Sequence, residues 1–307
     1  MARAAPLPPR DGVGATRLRV PREGPWQTVA DYLVFRFGHV DAELLRGRFA
    51  RGEVVDAAGI ALSLSTPLGA ADAIWYYREP PAEREIPFDI EILHQDDDLV
   101  VIDKPHFLPT TPSGTFLQNS ALVRLRRLLG NDQITPIHRL DRLTAGVVMF
   151  SARPEARGAY QTLFERREVE KVYEAISVST ASDLRFPLTV RSHIRKQRGV
   201  LRVQEIADAT PNAETQIELD GRRGDEWHLR LRPLTGQMHQ LRVHLASVGL
   251  GILHDPFYPV LLDEAPDDFA RPLQLLARAV SFIDPLTGSP RRFRSRRTLS
   301  GTDTLVE

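Results

Sequence analysis

The sequence predicts an α+β chain in two parts, a small mixed domain followed by a large one built on a mixed, mainly antiparallel sheet. From Glu91 onward, short alternating or wholly apolar runs succeed one another, which is the periodicity of strands. Helical spacing intervenes at only two places there, so the pattern is of hairpin-paired strands with a few helices packed on them. Ahead of it, Pro80, Pro81 and Pro87 with interleaved charges mark a linker over residues 81–90.

Residues 1–16, rich in Ala, Pro and Gly with scattered Arg, lack the apolar core of a signal segment and read as a disordered tail. The small domain spans residues 17–80. Trp26 or Thr28 begins a helix through Phe37, and Asp41 is a good N-cap for a second helix ending near Gly52. Strands follow at Glu53–Val55 and Ala73–Arg78, with a turn at Asp56-Ala-Ala-Gly59. In the large domain, residues 91–298, strands are expected at Leu99–Ile102, Gly146–Phe150, Val172–Val178, Val200–Glu205, Thr215–Leu219, Trp227–Leu231 and Leu275–Phe282. Helices are expected at Glu155–Arg167 and Gln237–Val248, the second with Met238, Leu241 and Leu245 facing inward. Residues 299–307 form a tail.

A chain of 307 residues that is 42% hydrophobic can bury a substantial core. It has no cysteine, which excludes disulfides, thiolate zinc sites and cysteine nucleophiles, and fits a reducing cytoplasm. No apolar run is long enough for a membrane span. Forty basic and forty acidic residues cancel. Their distribution is uneven: Arg124, Arg126 and Arg127 cluster, Arg191, Arg195, Lys196, Arg198 and Arg202 lie along a hairpin, and Arg291 to Arg297 form a basic stretch. A neutral total therefore conceals basic faces of the kind that contact phosphates.

The most informative stretch is His138-Arg-Leu-Asp-Arg-Leu-Thr-Ala-Gly-Val-Val-Met-Phe150. It sets Asp141 between Arg139 and Arg142, ahead of a small-residue turn and an apolar strand. Two guanidiniums beside a carboxylate favour its charged form, which suits nucleophilic attack better than proton donation.

This stretch resembles the active-site motif of the RluA-type pseudouridine synthases, H-R-L-D-x-x-T-S-G-L, with Ala145 where the family usually has Ser. Three further stretches match in order. Ile92 to Pro105 resembles the family's opening strand with its Lys-Pro ending, and Glu170-Lys-Val-Tyr-Glu-Ala175 resembles K-x-Y-x-A. Pro233-Leu-Thr-Gly-Gln-Met-His-Gln-Leu-Arg-Val-His-Leu245 resembles P-x-T-G-R-x-H-Q-I-R-V-H-L, and Asp255-Pro-Phe-Tyr258 resembles the D-P-x-Y that follows it. One departure stands out: Gln237-Met238 replaces the usual arginine and small polar residue.

The resemblance implies a pseudouridine synthase catalytic domain preceded by an αL-type RNA-binding-like domain. It implies three catalytic residues: Asp141, which acts on the ribose; Tyr173, which stacks on the uracil and is a candidate for removing its C5 proton; and Arg242, which pairs with Asp141. On the same basis Arg139 fills the space left by a flipped uridine, and Leu275 and Leu276 line the pocket. His138, Arg142 and Thr144 belong to the substrate-binding motif. The reaction exchanges a carbon–nitrogen for a carbon–carbon glycosidic bond without redox change, so no cofactor is expected. There is no phosphate-cradling glycine loop for a nucleotide cofactor, and His239 and His244 are wrongly spaced for a helical metal pair. Ribosomal or transfer RNA is the expected partner, of a cytoplasmic monomer. The rivals are a catalytically silent RNA-binding or ribosome-assembly protein of the same fold, and a glycoside hydrolase, which normally needs a second catalytic carboxylate.

Overall fold

A computed structural model describes residues 5–78, 83–178, 184–197, 199–262 and 268–300. Arg198, part of the basic hairpin read from the sequence, lies outside the described residues, as do residues 301–307 of the expected tail. The chain divides into a smaller unit, Met1–Glu83 with Gly114–Gln118, and a larger one, Arg84–Ser113 with Asn119–Glu307.

In the smaller unit, strand β1 (Thr16–Arg19) pairs with β3 (Ala73–Tyr76), which pairs with β2 (Val54–Val55), all antiparallel. Helix α1 (Val29–Arg36) starts at Thr28, whose hydroxyl accepts from Asp31 N while Asp31 accepts from Thr28 N, a reciprocal cap. Helix α2 (Ala42–Ala50) is capped by Asp41. The Asp41 cap is the one the sequence indicates, and Thr28 is one of the two starts it leaves open for the first helix. Val29, Ala30, Leu33, Phe49, Val54 and Ile74 close the core of this unit. Part of the stretch read as a disordered tail packs on the fold: Leu7 and Ala15 lie against Val55, Ala73 and Trp75, and Tyr77 Oη donates to Pro8 O at 2.7 Å. Apolar partners on β2 and β3, invisible in the composition of residues 1–16, account for the difference.

The larger unit holds β4 (Glu91–Gln95), β5 (Leu99–Lys104), α3 (Ala121–Leu129), β6 (Thr135–Pro136), β7 (Ala145–Ser151), α4 (Pro154–Glu165) and β8 (Glu170–Val178). These are followed by β9 (Leu188–Ser192), β10 (Ile194–Lys196), β11 (Val203–Glu205), β12 (Ala213–Arg223), β13 (Glu226–Pro233), α5 (Gln240–Ser247), β14 (Leu275–Ile283) and β15 (Pro290–Arg294). The main sheet runs β4-β5-β7-β14-β8-β13-β12-β9, with β15 on β14 and β6 on β7, while β10 and β11 form a separate hairpin. Strands β7 and β14 are parallel and the other neighbours antiparallel, so the mixed, mainly antiparallel sheet is as predicted.

Strand β7 is buried at all seven positions, which is why the motif ends in an unbroken apolar run instead of an alternating one. Its Gly146 has φ +114° and lies so close to β14 that a Cβ would overlap the backbone of Ala277. Leu99, Val101, Val147, Met149, Tyr160, Leu163 and Phe282 form the core between sheet and α4.

Helix α3 is absent from the sequence reading although its signals are present. Ser120 is the N-cap, Gly130 ends it in the left-handed region, and Ala121, Leu122, Val123 and Leu125 are buried. In the sequence its arginines suggest a basic patch. Arg124 instead donates to Phe88 O and Ile86 O at 2.7 and 2.9 Å, and Arg126 to Ile134 O at 3.0 Å. Helix α5 begins three residues later than expected because His239 is left-handed at φ +55°. Met238, before the helix, is therefore 42% exposed and does not face the core. Among the described residues no helix is long and apolar enough to cross a membrane.

Candidate active site

Asp141 sits in the loop between β6 and β7, on one wall of a cleft of about 480 Å³. Thr144 N donates to Asp141 O at 3.1 Å and closes the turn. Thr110 Oγ1 bonds both the N–H and the carbonyl of Leu140. Behind the loop, the fully buried Lys104 ammonium donates to Pro105 O, Leu108 O and Arg142 O at 2.9, 2.7 and 3.2 Å. Burial pushes this lysine well below its ordinary pKa, opposed by the charge of Asp141. His106 Nδ1 donates to Leu143 O at 2.7 Å. Three side chains therefore spend their polar capacity on main-chain atoms of Leu140, Arg142 and Leu143, and the loop is held from behind.

The donors that face Asp141 are not its sequence neighbours. Arg142 turns away, its Nη1 3.5 Å from Phe107 O, and is not part of the cleft wall. Arg139 is exposed at the cleft. Among the described residues the ion-pair contacts of Asp141 are Arg242 Nη1 and His239 Nε2, each 3.8 Å from Oδ2. Arg242, 1% exposed, is forked by Asp255, with Nε to Oδ2 at 2.7 Å and Nη2 to Oδ1 at 2.5 Å. Burial disfavours its charge, and the Asp255 contacts outweigh that and raise its pKa.

Tyr173, on β8, and Leu275, on β14, line the same cleft. Burial, reinforced by Asp141, raises the Tyr173 pKa and keeps the phenol neutral. Leu276, expected beside Leu275, is fully buried and absent from the cleft wall, because consecutive residues of β14 face opposite sides of the sheet. His138 stacks on Phe164 with centroids 4.6 Å apart, and its Nε2 accepts from Met149 N at 3.1 Å. Burial, then Lys171, pushes its pKa down to about 3, so it is a neutral ring in the wall. Thr144 is buried and lines the cleft.

Four residues at the cleft were not picked out from the sequence as site residues. Lys171 Nζ donates to Thr235 O at 2.8 Å, and burial, then Arg167, lowers its pKa to about 8. Gln240 Oε1 accepts from Thr235 Oγ1 and Gln237 N, tying the Pro233–Gln237 loop to α5. His239, wrongly spaced for a helical metal pair, stands with Gln240 inside the quoted Pro233–Leu245 stretch. Phe164 had no signal beyond helix periodicity, whereas Lys171 stood within the quoted K-x-Y stretch. Among the described residues no group of three His, Asp or Glu is placed to hold a metal ion.

Known proteins resemble this chain over the same region. The RNA pseudouridylate synthase family matches residues 98–247, which carry the Asp141 loop, Tyr173 and Arg242. The chain is 30% identical to the dual-specificity RNA pseudouridine synthase RluA of Pasteurella multocida over 211 residues, 64% of this chain and 89% of that one. It is 28% identical to an uncharacterised RNA pseudouridine synthase of Synechocystis over 232 residues, 74% of this chain and 78% of that one. The solved structure of human RNA pseudouridylate synthase domain containing 4 superposes with a TM-score of 0.51 at 26% identity, covering 69% of this chain and 89% of that one. The chain thus belongs to the RNA pseudouridylate synthase family, among its RluA-like members, and its enzyme class is that of the isomerases that convert uridine to pseudouridine.

Proposed function

We propose that this chain converts specific uridines of ribosomal or transfer RNA to pseudouridine with Asp141 as the nucleophilic carboxylate. One observation carries the choice of residue: Asp141 is the cleft carboxylate flanked at 3.8 Å by two buried donors, Arg242 and His239, whereas Glu165, also at the cleft, is exposed. A target uridine flips into the cleft, and base stacking on Tyr173 contributes about 1–3 kcal/mol toward holding it. Arg139, exposed at the cleft, fills the vacated stack.

Asp141 acts on the ribose, and the bond from N1 to C1′ breaks. The freed uracil turns and C5 joins C1′, N1 takes up a proton, and C5 gives one up. The neutral Tyr173 phenol can accept that proton only as it passes its own on. No electrons are gained or lost overall, so the reaction needs no redox cofactor. The exposed arginines of the larger unit supply phosphate contacts, and Gln237, where relatives of this type have arginine, makes one fewer. The enzyme acts as a cytoplasmic monomer in this reading.

Tritium release from RNA labelled at C5 of uracil tests it, with unmodified transfer and ribosomal RNA as separate pools. Asp141→Asn should retain fold and RNA binding and lose at least about a thousandfold in turnover. Substantial release by that variant sinks the nucleophile. Binding without release by the unaltered protein points to the catalytically silent alternative.

A further inference from the structure

Both side chains that touch Asp141 are held from behind by one four-residue turn, Asp255-Pro-Phe-Tyr258. Asp255 occupies Arg242 Nε and Nη2, so the remaining terminal nitrogen, Nη1, is the one that faces Asp141. The Asp255 carboxylate is itself oriented by Phe257 N and Tyr258 N, which donate to Oδ1 at 2.8 and 3.2 Å. The guanidinium carbon lies 4.8 and 5.4 Å from the ring centroids of Phe257 and Tyr258, which restrict it on its faces.

The second arm is a hydrogen-bond relay. Tyr258 Oη accepts from Val203 N at 2.7 Å and lies 3.1 Å from His239 Nδ1 and 3.4 Å from Val203 O. Its own proton therefore has its better acceptor in His239 Nδ1. A neutral imidazole that accepts at Nδ1 carries its hydrogen on Nε2, and Nε2 is the atom facing Asp141. The opposite tautomer would set a lone pair against a carboxylate oxygen. His239 is 7% exposed and Tyr258 2%, so water does not compete for this relay.

We infer that the Asp255–Tyr258 turn is the positioning element of the nucleophile, aiming Arg242 Nη1 and selecting the Nε2–H tautomer of His239, so that two donors fix the Asp141 carboxylate. Neither Tyr258 nor Asp255 touches the reacting atoms; they act through Arg242 and His239. The inference rests on Asp141 being the nucleophile. Both donor contacts are at ion-pair distance in the free protein and shorten to hydrogen bonds as substrate fills the cleft.

Tyr258→Phe removes one hydroxyl and keeps both the ring packing and the cation contact. Its kcat on transfer or ribosomal RNA should fall about ten- to a hundredfold, the loss expected of a slightly misplaced reacting group, with KM within about twofold of wild type. Long-range proton–nitrogen spectra of histidine-labelled protein should show His239 leaving the Nε2–H form in this variant. His239→Gln sets an amide nitrogen near the Nε2 position without needing Tyr258, so adding Tyr258→Phe to it should change kcat little further. Wild-type kcat with an unchanged tautomer in Tyr258→Phe, beside an inert Asp141→Asn, overturns this inference alone. A fall in kcat with the tautomer unchanged overturns the relay. Turnover by Asp141→Asn overturns the nucleophile and this inference with it.

Discussion

Two arginine–aspartate forks of nearly the same geometry stand in the two units of this chain. In the smaller unit Arg22 Nε and Nη2 reach Asp72 at 2.6 and 2.9 Å, with side chains 76% and 66% exposed. In the larger unit Arg242 Nε and Nη2 reach Asp255 at 2.7 and 2.5 Å, with side chains 1% and 0% exposed. Water can replace either partner of the first fork and neither partner of the second. The first is a surface contact whose loss water makes good, whereas each half of the second is costly without the other. The same hydrogen bonds therefore have a structural consequence only where the fold has excluded solvent, and the buried fork is the one beside Asp141.

Cutting each fork at its acid gives the widest expected separation. Asp255→Ala leaves a buried guanidinium unpaired and should lower unfolding free energy by about 3–5 kcal/mol, while Asp72→Ala should leave the urea midpoint unchanged. Equal losses in the two variants would break the comparison. Acidification sharpens it, because burial first of all depresses His138 to about 3 and His106 and His244 to about 4, all in the larger unit. Their unfolded values lie near 6.5, so the stability tied to their neutral forms is complete above that pH and is lost as pH falls toward the folded values. Each loses about 1 kcal/mol over the first pH unit below 6.5, together about 3 kcal/mol between pH 6.5 and 5.5, and the slope approaches about 1.4 kcal/mol per unit for each below that. Urea unfolding at those two pH values reads this directly, and a flat profile would mean the rings are not buried neutral. Least in free energy, Arg242→Lys keeps the charge but cannot fork Asp255 and also reach Asp141. It should reduce kcat about tenfold to thirtyfold, whereas Arg22→Lys should leave tritium release unaltered.

Much of the site was legible because its pieces are local. The turn before β7, the glycine at the crossing with β14 and the apolar run of β7 are adjacent in the chain, and Tyr173 and Arg242 lie within recognisable motifs. What misled was also local. Arg142, one residue from Asp141, points to Phe107, and Arg124 and Arg126 of α3 serve backbone carbonyls, because adjacency in the chain does not set side-chain direction. Leu276 shows the same limit in a strand: one residue separates a cleft wall from the sheet's other side. His239 stands in a quoted motif, but its place beside Asp141 depends on a left-handed backbone and on Tyr258, neither of which leaves a signature in periodicity.

By itself the sequence determined the α+β class, the Asp41 helix cap of the smaller unit, the family and the identity of the candidate acid. These rest on propensities, turn chemistry and motif order, which are properties of neighbouring residues. Only the tertiary structure decided which donors face Asp141, which leucine enters the cleft and which of two alike ion pairs is sealed from water. Those outcomes depend on burial and on contacts between distant strands, and solvent exclusion is a property of the folded molecule as a whole.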